Sequence, residues 1–563
     1  MRTDPRTRSY VAPVRVRWPS PAPPPPEGAE RLIAESLGQP TVWQPPLCTL
    51  SRGVDGKAES PSLMFDFGRE LHGGLQLIVR NTTNNKPVRV RVTFGESVAE
   101  ALAEPNQDHA LHRWTTEVPW AGIHEVGCTG FRFAHVELVD AGTFVELHGA
   151  WAVTLMRAET YVGSFECDDA RINAVWQTAA HTLHLCMQQH LWDGVKRDRL
   201  VWAGDLHPEV MSALAVFGAH PVVPDSLDFL RADAPLPAWM NSMPTYSMWW
   251  TVSLRDWYLH TGDLATLQRS RDYVLPLATS FTKLVQEDGR ETLPAKFLDW
   301  ASQKSPEAVA VGAHALTKMA LEAAADIADA LQEAGPARQF RAAAERTSRY
   351  TPPRVTNLQA NALRVLAGLA NAERVNADVL APDPAAGLSP FYGYYVLEAR
   401  AAAGDVTGGL DLLRNYWGGM LDLGATSFWE HFDQSWPADK PERVDEWPQA
   451  GRRNVHRDYG EYCYTGFRHS LCHAWSSGPA AWLARHVLGV TPTAPGFARV
   501  SVRPRLGDLT RVCGTVPTPH GPIRVTAERT KAGRIETRVD LPDGVHRDAD
   551  VADARSAELV TSA

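Results

Sequence analysis

The chain has 563 residues, 44% hydrophobic and 21% charged, with a formal net charge of −9. That length exceeds a single core and predicts roughly three or four domains. The acidic balance, with Lys and Arg dispersed among acids, excludes the basic face that a nucleic-acid partner requires, and no apolar run is long enough to span a bilayer.

The first thirty residues contain basic positions but no apolar segment of a secretory signal. Residues 20–28, "SPAPPPPEG", predict a proline-rich connector. From about 40 to 160 the chain reads as β. "KPVRVRVTF" (86–94), "FRFAHVELVD" (131–140) and "WAVTLMRAET" (151–160) alternate with period two, as half-buried antiparallel strands do. A sandwich is the expected packing. From 161 to 489 the pattern turns helical, in long stretches at 168–192, 263–289 and 306–335 and shorter ones at 358–373, 390–404, 409–421 and 469–489. Roughly ten to twelve helices without a repeating motif predict a closed toroid of paired helices rather than a solenoid. After Gly489 strands return ("ARVSVRPRL", "GPIRVTAERT", "GRIETRVDLP"), predicting a C-terminal sandwich over 490–563 with a loose acidic tail from about 544.

Seven cysteines are scattered without a CxxC pair, which predicts free thiols and a cytoplasmic setting. No cluster has metal-ligand spacing, so neither metal nor cofactor is expected. The unusual count is tryptophan, nineteen in all. Its flat apolar face fills cores and also stacks on sugar C–H faces.

Those tryptophans recur beside acids and histidines in segments read as loops of the helical region. "DGVKRDRLVWAGDLHPE" (193–209) gathers Asp193, Arg197, Asp198, Asp205 and Glu209 around Trp202, at spacings unlike those of a solvated helical face. "YSMWWTVSLRDW" carries Trp249 and Trp250, and "AKFLDWAS" carries Asp299 and Trp300. "GATSFWEHFDQSW" carries Trp429 and Glu430, and "SLCHAWSSGP" carries His473. A single acid–tryptophan pair is often only an indole N–H on a carboxylate; the recurrence predicts a carbohydrate site. Glycoside hydrolysis needs two carboxyls, one protonated and one ionised. An acid desolvated among tryptophans suits the donor, whereas Arg197 beside Asp198 opposes protonation there.

"DGVKRDRLVWAGD" resembles the signature of the α-L-rhamnosidases of glycoside hydrolase family 78, commonly Asp-Cys-Pro-x-Arg-(Asp/Glu)-Arg-Leu-Gly-Trp-x-Gly-Asp. "LMFDFGRELHGGLQL" (63–77), "GATSFWEHFD" (424–433), "SLCHAWSSGP" and "GVTPTAPGFARVSVRPRLGDL" are similar to further segments of that family, in the same order, over roughly residues 60–530. The resemblance implies an (α/α)6 barrel between β-sandwich domains and inverting hydrolysis of terminal α-L-rhamnosides. Asp198 falls at the general acid and Glu430 at the general base. Asp193, Arg197, Trp202 and Asp205 fall at positions that bind the sugar. Trp300 and His473 match further contacts, and Trp249 or Trp250 is a looser match. The chain departs where Asp198 stands for the more common Glu, where Gly-Val replaces Cys-Pro, and in a long segment between Glu430 and His473.

Glu209 is a rival proton donor, with a helix N-terminal charge as its structural alternative. The implied partner is a rhamnose-containing glycoside or oligosaccharide, with no nucleic acid and no membrane, and a homodimer is kept open as the assembly. The competing functions are another barrel glycosidase, such as an unsaturated uronyl hydrolase, and a non-catalytic carbohydrate-binding protein. The uronide would want a basic subsite, and the binding protein would be expected to have lost one carboxyl.

Overall fold

The computed structural model describes residues 4–17, 26–53, 58–104 and 112–548. Most of the proline-rich connector and residues 549–563 of the expected tail lie outside the described residues. The chain forms two compact units that interleave in sequence. One comprises residues 1–158, 184–200 and 419–474; the other comprises 159–183, 201–418 and 475–563.

The first unit is built on a nine-stranded sheet whose long members are β1 (Ser62–Thr82), β2 (Val88–Gly95), β3 (Gly122–Leu138) and β4 (Thr143–Met156). β1 is the spine, pairing antiparallel with β3 on one side and β4 on the other. Alternation in "VRVRV" sets Val88, Val90 and Val92 inward beside Leu75, Leu77, Phe94 and Phe131 of the apolar core. The short helix α1 (Val98–Ala101) follows β2, with the Ser97 side chain accepting from the Glu100 amide as its N-cap.

The second unit holds the central helices and both C-terminal sheets. A four-stranded sheet joins β5 (Ser164–Cys167) to strands from the end of the chain. Then follow α2 (Ala170–Cys186), α3 (Leu206–Val216), α4 (Pro244–Thr261), α5 (Leu264–Lys283), α6 (Pro306–Ala330), α7 (Ala334–Thr347), α8 (Leu358–Leu366) and α9 (Pro390–Ala402). Ser305 and Ser389 cap α6 and α9 ahead of a first-turn proline, and Asn357 caps α8. The four-stranded sheet is completed by β6 (Arg511–Val516), β7 (Ile523–Arg529) and β8 (Ile535–Asp540). All seven cysteines are free. Among the described residues no helix is long and apolar enough to cross a membrane.

Two local expectations fail. "YSMWWTVSLRDW" is not a loop but the body of α4. The helix expected over 469–489 begins only at Ala474. Residues before it are drawn out because their backbone groups bond elsewhere: the His473 amide donates to the Phe428 carbonyl at 2.9 Å, and the Ser470 carbonyl accepts from the Glu430 amide at 2.9 Å.

Candidate active site

The charged stretch at 193–209 is shared between the units, Asp193–Leu200 belonging to the first and Val201–Glu209 to the second. In the first unit Asp193 organises its own loop. One carboxylate oxygen accepts from the Leu200 amide at 3.0 Å and the other from the Asp198 amide at 3.2 Å. The Asp193 carbonyl accepts from the Ala474 amide at 2.7 Å, and Gly194 bridges to His473. These bonds join the charged stretch to the Ser-x-x-His segment. Burial, reinforced by the neighbouring Asp198 charge, pushes the Asp193 carboxyl up to about 7.

The loop presents Arg197, whose guanidinium spans two carboxylates. Nη2 lies 2.5 Å from Glu430 Oε2 and Nη1 lies 3.3 Å from Asp198 Oδ1. Nε donates to the Arg468 carbonyl, which fixes the fork. The two contacts and the span of one guanidinium hold these carboxylate oxygens within roughly 8 Å of each other. Their environments differ. The Glu430 side chain is 5% exposed and that of Asp198 36%. Glu430 Oε2 also accepts from the Ser470 amide at 3.0 Å. Burial raises Glu430 to about 7 against the opposing pull of Arg197. His473 Nδ1 stands 3.9 Å from Glu430 Oε1, and burial beside Arg197 keeps that imidazole neutral. Asp193, Arg197, Asp198, Glu430 and His473 therefore converge. Trp429 does not present a face: it is 1% exposed and packs edge-on to Phe432 and His469.

In the second unit Trp202 meets Tyr246 edge-on at 6.2 Å, and the Tyr246 hydroxyl donates to Asp205 at 3.3 Å. Asp205 is the N-cap residue of α3, and Glu209 is buried in its first turn. Adjacent positions on α4 diverge by about 100°. Trp249 stacks on Tyr395 at 4.5 Å and donates its indole N–H to the Tyr392 hydroxyl, whereas Trp250 has no exposed surface and donates to the Leu227 carbonyl at 3.1 Å. Asp299 accepts from the Ser302 amide and the Ser389 hydroxyl, and burial raises its carboxyl. Trp300 is 41% exposed against the edge of Phe297.

Sequence reasoning passed over Ser470, Tyr246 and Lys196. Ser470 was hidden by the helical spacing of its segment. Lys196 lay in full view inside the charged stretch, yet nothing local marks a lysine whose partners lie about a hundred positions away.

Residues 160–351 match the family model of the bacterial α-L-rhamnosidase six-hairpin glycosidase domain. Residues 489–562 match the bacterial α-L-rhamnosidase C-terminal domain. No curated protein matches the chain in sequence. Among solved structures, the family 78 rhamnosidase of Bacillus sp. GL1 is similar at 24% identity and TM-score 0.70, over 86% of this chain and 54% of that one. A Klebsiella oxytoca rhamnosidase with rhamnose bound is 20% identical at TM-score 0.63, over 85% and 95%. The Streptomyces avermitilis α-L-rhamnosidase complexed with L-rhamnose is 18% identical at TM-score 0.68, over 88% and 49%. The chain thus spans about half the length of the Bacillus and Streptomyces proteins, and these likenesses bear on fold.

Residues 160–351 thus match a helical domain of the six-hairpin glycosidase class, with β-sheets on either side of it in sequence. The two matched segments, residues 160–351 and 489–562, are similar to domains of bacterial α-L-rhamnosidases.

Proposed function

We propose that the protein is an inverting exo-glycosidase that releases terminal α-L-rhamnosyl residues from a glycoside or oligosaccharide. Its catalytic domain, on this reading, is an (α/α)6 barrel over 161–489, flanked by β-sandwiches at 40–160 and 490–563. The observation that carries the proposal is the single guanidinium of Arg197 shared by a buried Glu430 and a half-exposed Asp198. An inverting pair stands ~6.5–9.5 Å apart to admit a water, and the roughly 8 Å ceiling set by the shared guanidinium is compatible with that spacing.

Glu430 takes the role of base. Its carboxyl near 7 is ionised for a substantial fraction of enzyme at neutral pH and is basic enough to draw a proton from water as that water attacks the anomeric carbon. The water's oxygen becomes the new anomeric hydroxyl, and the glycosidic C–O bond breaks with its electron pair on the leaving oxygen. Asp198, open to solvent, takes the role of acid and protonates that oxygen. Asp193 is assigned to holding the loop, because both its oxygens already accept backbone amides. By resemblance, Trp202, Asp205 and Trp300 contact the sugar; Trp250 and Trp429, buried on their own elements, are left out of that role.

The pH dependence follows from Glu430. Only its ionised form can act as base, so below its midpoint the active fraction falls with each added proton. The kcat/KM profile on an aryl α-L-rhamnoside is expected to drop about tenfold per pH unit below about pH 7. Arg197→Met removes the charge that lowers Glu430, so the same limb should move to higher pH. An unmoved limb in that variant counts against Glu430 as its source.

A further inference from the structure

Next to Arg197 in the chain, Lys196 is fully buried in the first unit. Its ammonium lies 3.0 Å from Glu96 Oε2 and 3.0 Å from Glu100 Oε1. It also donates to the carbonyls of Phe467 at 2.6 Å and His469 at 3.1 Å. Glu96, Glu100 and His456 each offer a ligand atom within 4.8 Å of the others, and all three are buried. Two carboxylates and an imidazole at that spacing are a donor set for a divalent cation. Here the nearest positive charge is the lysine's own.

The cage is tied to the groups that seat Glu430. Glu96 Oε2 accepts from the Leu471 amide at 2.8 Å, and His456 Nε2 bonds the His469 carbonyl at 2.9 Å. These are the two neighbours of Ser470, whose amide and carbonyl both bond Glu430. Arg197, the other partner of Glu430, follows Lys196 directly. Each grip on Glu430 thus stands one residue from the cage.

We propose that Lys196 is the resident cation of a carboxylate–imidazole cage and, through it, the positioning residue for Glu430. A lysine ammonium does here what a structural metal ion does elsewhere: it neutralises converging carboxylates and locks two loops in register. The positioning half of this inference rests on Glu430 being the base; the cage half does not.

The test is Lys196→Ala, which removes the ammonium and leaves the three donors. The folded variant should take up about one Co²⁺ per chain, seen as visible d–d absorption that the unaltered protein does not develop. Without metal, kcat should fall ~100-fold with KM little changed, as expected for a misplaced base. Added Co²⁺ should restore at least ~10-fold of that loss. Metal uptake without recovery of kcat, no uptake by folded protein, or near-normal kcat without metal would each overturn the proposal. Should Lys196→Ala not fold, Glu96→Gln keeps the lysine and weakens both its ion pair with residue 96 and the hold on Leu471. It should lower kcat ~10-fold at constant KM, and an unchanged kcat overturns the positioning role. The cobalt spectrum is read without substrate, so failure of the cage is distinguishable from failure of the rhamnosidase reading.

Discussion

Glu430→Gln is expected to lower kcat on an α-L-rhamnoside by ~10²–10⁴-fold while rhamnose binding, measured by calorimetry, stays within a few-fold. The amide keeps the size of the side chain, and its oxygen can still accept from Ser470 and from Arg197. What it loses is the basic oxygen that would take a proton from water. A loss confined to kcat is the mark of a group used only in the transition state. Near-normal turnover would remove Glu430 from the chemistry and leave the Arg197 contact as a structural ion pair.

Asp198→Asn should have an effect that depends on the substrate. A proton donor matters most when the departing oxygen is a poor leaving group. The variant is therefore expected to lose ~10²–10⁴-fold on an alkyl rhamnoside or a disaccharide, but far less on a dinitrophenyl rhamnoside that leaves as a stable anion. This contrast also separates Asp198 from Glu209. Glu209 is 2% exposed within the first turn of α3. If Glu209 is the donor, Asp198→Asn shows no dependence on the leaving group and Glu209→Gln acquires it. Asp193 accepts from the Asp198 amide directly, so the backbone at Asp198 is fixed by its own turn.

Much of this was legible in the sequence because it is local. Period-two alternation in "VRVRV" marked β2, and the charged signature brought Asp193, Arg197 and Asp198 into one turn before any contact was known. What escaped was long-range. "HSLCHAWSSG" has the apolar spacing of a helix, yet its first residues are extended because Phe428 and Glu430 take up their backbone groups. "SMWWTV" read as a loop because its tryptophans fit the acid–tryptophan pattern of the other segments. In α4 one indole is spent on the Leu227 carbonyl and the other on Tyr392. Lys196 carried no local sign of its role, since a buried lysine is recognised only by its acceptors, and those lie at 96–100 and 467–469.

The two carboxyls also separate by environment in a way composition alone would not reveal. Both touch the same guanidinium, yet one is buried and pushed up to about 7 while the other faces solvent. Single displacement by water requires one carboxyl to donate a proton to the leaving oxygen and the other, ionised, to activate the water. A retaining enzyme would instead need one carboxylate to attack the anomeric carbon itself.

The most direct test is the configuration of the first-formed sugar. Proton NMR of an α-L-rhamnoside during its earliest turnover should show β-L-rhamnose appearing before mutarotation supplies the α anomer. Initial release of α-L-rhamnose would contradict the assignment of Glu430 as a base acting on water.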